Sequence, residues 1–144
     1  LLSRDEQSAI TFVRGDLTFV GGMEVLEGAD GRGFATPLAT LHAFQGWADV
    51  FLTTPAAGVR DRSVGIKGGG LDLIEGAKPA NWAVIYHDFD SDNGRLSYGS
   101  ELDAVFRMPI SDRLTIEAKG AVFSGVESGP ADRAKFWLAL EARF

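Results

Sequence analysis

The stretch Lys135-Phe136-Trp137-Leu138-Ala139-Leu140-Glu141-Ala142-Arg143-Phe144 decides the fold class of this chain. Phe136, Leu138, Leu140, Ala142 and Phe144 fall at every second position, and Lys135, Trp137, Ala139, Glu141 and Arg143 fall between them. Period two places successive side chains on opposite faces of an extended strand, one face apolar and the other polar. The preceding segments keep the rhythm. Leu114, Ile116, Ala118, Gly120 and Val122 alternate with Thr115, Glu117, Lys119, Ala121 and Phe123. Leu96, Tyr98, Leu102, Ala104, Phe106 and Met108 alternate with Ser97, Gly99, Glu101, Asp103, Val105 and Arg107. Leu17, Phe19, Gly21, Met23 and Val25 do so near the front. Less regular strands are expected over 59–67 and 81–89, and a partial one over 7–13, which makes about seven strands in an all-β, antiparallel, up-and-down arrangement.

The connections differ at the two ends of these strands. Arg14-Gly15-Asp16 and 109–113 are tight turns, and 68–80 is of medium length. The loop 28–58 is long, 125–133 is longer than a turn, and 88–95 contains the hairpin dipeptide Asn93-Gly94. Short turns at one end and long loops at the other are the habit of outer-membrane barrels. The long loop holds one helical candidate over 38–52. Thr36 suits a cap and Pro37 the first helical position, and Leu38, Leu41, Phe44, Ala48 and Phe51 recur at spacings of three and four.

Composition narrows the function classes. Fourteen Lys and Arg against twenty Asp and Glu give a net charge of −6. Without a basic patch to release phosphate counterions, nucleic acid is not expected as a partner. The absence of Cys excludes a disulfide framework, a Cys zinc site and a thiol nucleophile. No run of apolar residues reaches the length of a membrane-spanning helix, but a spanning strand needs only about 9–11 alternating residues. The chain starts at Leu1 without a signal-peptide pattern, which fits either a mature chain or a piece of something longer.

Two readings of the alternation compete. In a soluble, lipocalin-like barrel the apolar face is the core and encloses a small apolar ligand. In a membrane barrel that face meets lipid and the polar face lines a wet lumen. The length of the strands, the Gly, Ser, Thr and mixed charges of the polar face, and aromatic residues expected at strand ends (Trp82, Tyr98, Phe136 and Phe144) favour the membrane.

The stretch Thr36-Pro-Leu-Ala-Thr-Leu-His-Ala-Phe-Gln-Gly-Trp-Ala-Asp-Val-Phe-Leu-Thr-Thr-Pro-Ala56 resembles the alginate export family of outer-membrane porins. So do Tyr86-His-Asp-Phe89, Tyr98-Gly-Ser-Glu-Leu-Asp103 and the ending at Phe144. The resemblance implies a transmembrane β-barrel in the outer membrane of Gram-negative bacteria. It implies contact with outer-membrane lipid and delivery by the barrel assembly machinery through the terminal Phe144. The transported solute would be a polysaccharide or other small polar molecule. Members have many more strands than seven, so residues 1–144 are expected to be the C-terminal part of such a barrel. Phe136, Leu138, Leu140, Leu114, Ile116 and Phe106 would face lipid.

Passage of a polyanion calls for fixed positive charge. The expected lumen face carries Lys67, Arg107, Lys119, Lys135 and Arg143, balanced by Glu24, Asp61, Glu101, Asp103, Glu117 and Glu141. Each such charge either meets solute or pairs across strands to stiffen the wall. In the long loop His42, Gln45 and Trp47 are candidates for a constriction at the barrel mouth; the alternative is that the apolar loop residues only anchor it on the rim.

Other constellations read more simply. Asp88, Asp90, Asp92 and Asn93 alternate as calcium ligands do, but Gly94 falls one place late and Gly99 stands where a bidentate Glu belongs. A solvated acidic hairpin is the simpler expectation. Ser91, His87 and Asp90 cannot converge as a catalytic triad, since adjacent strand residues point oppositely, and no nucleophile elbow exists. Gly68-Gly69-Gly70 lacks the Lys-Ser/Thr of a phosphate loop. Neither enzyme activity, a cofactor nor a metal site is expected.

Overall fold

A computed structural model describes residues 5–29, 32–33 and 46–144. Seven strands form one sheet: β1 (Asp5–Arg14), β2 (Leu17–Leu26), β5 (Val59–Leu71), β6 (Ala80–Asp90), β7 (Ser97–Pro109), β8 (Leu114–Gly125) and β9 (Arg133–Ala142). Two short segments, β3 (Gly28–Ala29) and β4 (Arg32–Gly33), pair with each other apart from this sheet. The main sheet runs in chain order and every pairing in it is antiparallel. The fold is therefore an all-β up-and-down meander. Strand direction reverses at each step and the count is odd, so the edge strands β1 and β9 point the same way.

Turn chemistry sets the register. Arg14 stands opposite Leu17, so Gly15-Asp16 is a two-residue hairpin loop. Its first position has φ 61°, which glycine adopts without a Cβ penalty. Between β7 and β8, Ile110 and Ser111 both donate to the Leu114 carbonyl at 2.8 and 3.1 Å. Between β6 and β7 the Asn93 carboxamide oxygen accepts from Ser91 Oγ and the Arg95 N–H, and Gly94 takes φ 68°.

The register sorts side chains into two faces. Phe12, Phe19, Ile66, Val84, Ala104, Gly120 and Phe136 form one continuous cross-strand row. Ile10, Gly21, Val64, Tyr86, Leu102, Val122 and Ala134 form a second row on that face. This apolar face is open: Phe136, Leu138 and Leu140 are 72, 71 and 68% exposed, and Ile10 and Val64 are similar. Towards the loop end it turns polar, where Arg60 and Arg62 meet Asp88 and Asp90 at 2.6–2.7 Å.

The buried core lies on the opposite, mixed face. Residues 46–58 fold back over its loop end, and Phe51 packs among Phe89, Tyr98 and Phe123 with ring centroids 4.8, 5.6 and 5.9 Å away. Val59, Ala48, Ala121 and Leu26 complete this core.

Two expectations need correction. The helix expected over 38–52 does not form across its described part. Residues 46–52 are turns, with Gly46 at φ 80° and Asp49 at φ 56°, both incompatible with a right-handed helix; residues 38–45 lie outside the described residues. Tyr98 is not a rim aromatic on the apolar face. The register slips between Phe89 and Asp90, where Gly99 opposes Phe89 but Ser97 opposes Asp90. Gly99 absorbs the extra residue at φ 132°. The slip turns Tyr98 inwards, where it is buried and donates its O–H to the Gly58 carbonyl at 3.0 Å. Phe136 lies within the apolar rows, opposite Gly120, whereas Trp82, the third residue of β6, stands near the strand end as expected, opposite Gly68 at the last regular pair of β5 and β6. Tyr86 is the aromatic beside the polar margin, one pleat from Asp88.

Candidate functional site

The mixed face joins the sheet to the folded-back segment through a polar network. Glu101 and Asp103 stand two residues apart on β7, so they share this face. Both are buried, at 1 and 0% exposure. The Ala48 N–H donates to Glu101 Oε1 at 2.6 Å, and the Trp47 N–H donates to Asp103 Oδ2 at 3.1 Å. Gly46 is required at this close approach, because a Cβ there would lie 2.6 Å from the Glu101 carboxylate. The second oxygens, Glu101 Oε2 and Asp103 Oδ1, are buried without a hydrogen bond from any described residue.

Behind this pair the network continues across β6 and β5. His87 Nδ1 lies 2.8 Å from Asp61 Oδ2, and His87 Nε2 lies 3.6 Å from Asp103 Oδ2. The His87 ring stacks on Phe89 at 5.7 Å. From β9, Arg133 Nη1 donates to the carbonyls of Ala48 and Asp49, and Lys135 Nζ meets Asp49 Oδ2 at 2.5 Å. Lys119 on β8 stands over Trp47 at 5.2 Å and over Trp137 at 4.9 Å. The segment 46–49 is thus held from three strands at once.

Of the expected lumen residues, Asp61, Glu101, Asp103, Lys119 and Lys135 converge here. Trp47 joins them, whereas His42 and Gln45 lie outside the described residues. Lys67, Arg107 and Arg143 belong to the turn end of the same face. Arg107 bridges Glu117 at 2.9 Å and Glu141 at 2.6 Å. Arg143 meets Glu141 at 2.9 Å, just past β9. Lys67 lines a hollow of about 410 Å³ with Thr18, Asn81, Arg107 and Glu117.

Sequence reasoning missed His87 and Arg133 as members of the network, and missed the aromatic core. Phe89 and Phe123 fall at the odd positions of β6 and β8, among His87, Glu117 and Lys119 on the mixed face. That misplacement was the available signal that something apolar covers this face.

The acidic loop uses its oxygens internally. Asp88 bonds Arg62, Asp90 bonds Arg60 and Arg62, and Asp92 accepts the Gly28 N–H at 3.1 Å. Outside the strands, Lys78 hydrogen-bonds Asp112 at 2.8 Å and holds its carboxyl below the ordinary aspartate value.

No family model matches this chain, and comparison with curated proteins and with solved structures finds no match.

Proposed function

We propose that this chain is a wall segment of an outer-membrane β-barrel pore, with the apolar face against lipid and the mixed face lining a water-filled passage for polar solutes. One observation carries the reading: the apolar face exposes a large side chain on each of the seven strands (Phe12, Phe19, Val64, Tyr86, Leu102, Val122 and Phe136), while buried carboxylates and their partners occupy the other face. Water is a poor solvent for so wide an apolar surface. On β8 the apolar face runs from Leu114 to Val122, about 26 Å at 3.3 Å per residue, or about 20 Å high at a tilt near 40°. That is close to the apolar band of about 25 Å that outer-membrane barrels present. Paired arginines and aspartates bound it at the loop end, and Lys78, Asp112 and Arg113 lie at the turn end. The soluble ligand-binding barrel would need the apolar face turned inward and closed, and Leu138 at 71% exposure does not favour it.

The sheet order leaves β1 and β9 as edges, and unpaired backbone in hydrocarbon costs several kcal/mol per group. Because the two edges run the same way, antiparallel closure takes an odd number of further strands. Seven plus an odd number is even, as in bacterial single-chain barrels. The resemblance to alginate export porins supports the same architecture and a polysaccharide or other small polar solute, with assembly guided by the terminal Phe144. The segment 46–58 narrows the passage, since it is fastened to the lumen side instead of projecting away.

Leu138→Arg tests the reading in the protein that carries this chain. On a lipid face it costs about 2–4 kcal/mol near the bilayer midplane. Heat-modifiable, membrane-inserted protein should fall sharply, while Ala139→Arg, one position along on the mixed face, should insert. Equal insertion of both variants would refute the orientation.

A further inference from the structure

The turn end of the mixed face carries a charge arrangement unlike the rest. Towards the loop end, Glu24, Asp61, Glu101, Asp103 and Asp49 outnumber Lys119, Arg133 and Lys135. At the turn end a recess of about 180 Å³ is lined by Lys78, Arg107, Arg113 and Arg143, with Asp112 and Glu141 as the acidic members. We propose that this recess binds an oxyanion, a carboxylate or phosphate carried by the solute, as it enters or leaves the passage at that end.

The geometry favours this in four ways. Cations exceed carboxylates even when Glu117, which holds Arg107 from the side at 2.9 Å, is included. The two acidic members are each engaged already: Glu141 is shared between Arg107 and Arg143, and Asp112 is taken by Lys78. Arg113 makes no ion pair among the described residues, so its planar fork is open to a bidentate oxyanion. Finally, backbone bonds fix the frame. Lys78 N–H donates to the Pro109 carbonyl at 3.2 Å, and Arg143 N–H donates to the Arg113 carbonyl at 2.9 Å. The three segments carrying the cations are thereby tied to one another before any ligand arrives. Lining by Thr115, Glu141 and Arg107 puts the recess on the mixed face, which separates it from lipid headgroups lying against the apolar face.

The pore reading supplies the arrival route, but the binding itself does not depend on it. The test is titration of the detergent-solubilised protein with inorganic phosphate, followed by calorimetry at low salt, with phosphatidylglycerol micelles as the lipid arm. Phosphate should bind and be competed by acetate. Arg113→Ala should weaken it about fivefold or more, the loss expected for one charge-assisted contact. Glu141→Gln, which removes a competing carboxylate, should tighten it. Opposite signs from two exposed substitutions cannot come from misfolding. Absence of phosphate binding, binding indifferent to both substitutions, or binding of the lipid alone would overturn the proposal. A protein that conducts but binds no phosphate loses only this inference. A protein that binds phosphate but never inserts loses only the pore reading.

Discussion

Removing the Glu101 side chain should release the segment 46–49 from the sheet. In Glu101→Ala the Ala48 N–H loses its acceptor at 2.6 Å in a buried setting. An unsatisfied buried donor costs about 1–3 kcal/mol. Part of this is offset, because Glu101 and Asp103 are two buried acids side by side and removing one relieves the other. The isosteric Glu101→Gln relieves the charge as well but keeps an acceptor for Ala48. The difference between the two variants therefore isolates the hydrogen bond. At tenfold per 1.4 kcal/mol, 1–3 kcal/mol is about five- to 150-fold in the opening equilibrium. Amide hydrogen exchange at Trp47 and Ala48, read on the intact protein in detergent, should accelerate by that factor in Glu101→Ala. In Glu101→Gln it should stay within about threefold of the parent. Unchanged protection of both amides in Glu101→Ala would refute the argument that β7 fastens this segment.

Gly99→Ala should destabilise the protein by at least about 2 kcal/mol, because φ 132° suits glycine alone and a Cβ would collide with the Ser124 carbonyl oxygen; thermal unfolding in micelles measures it. Tyr98→Phe should cost about 1 kcal/mol in the same assay, since only the bond to the Gly58 carbonyl is lost and the ring stays packed on Phe51. Lys119→Gln should change the fluorescence of Trp47 and Trp137, whose rings both lie within 5.2 Å of the ammonium; an unchanged emission spectrum would argue against that stacking.

Strand order and facing were legible because period two is unambiguous when one face is uniformly apolar. From Leu114 to Ala142 the sequence places each side chain on the face where the register puts it. Legibility failed where the chain departs from regular geometry. Tyr98 follows the alternation of its strand on paper, but the slip at Gly99 inverts it, and nothing in the spacing distinguishes a bulge glycine from the many others. The spacing of Ala48 and Phe51 reads as helical, yet both are buried by a turn that Gly46 and Asp49 bend over β7. Tertiary capture by Glu101 and Asp103 decides that local conformation. In the site, individual charges could be assigned to the polar face, but not their partners. Arg133 and Asp49 are 84 residues apart in the chain, and only the fold brings them together.

The most direct test of the central claim uses the absence of cysteine in this chain. Single cysteines placed at Phe136, Trp137, Leu138, Ala139 and Leu140 in the membrane-inserted protein would each carry a fluorophore, read against a lipid-borne nitroxide quencher and a water-soluble one. The account predicts strict alternation, with 136, 138 and 140 quenched from the lipid and 137 and 139 from water. Uniform quenching by the aqueous reagent, or the inverse alternation, would contradict a lipid-facing apolar face.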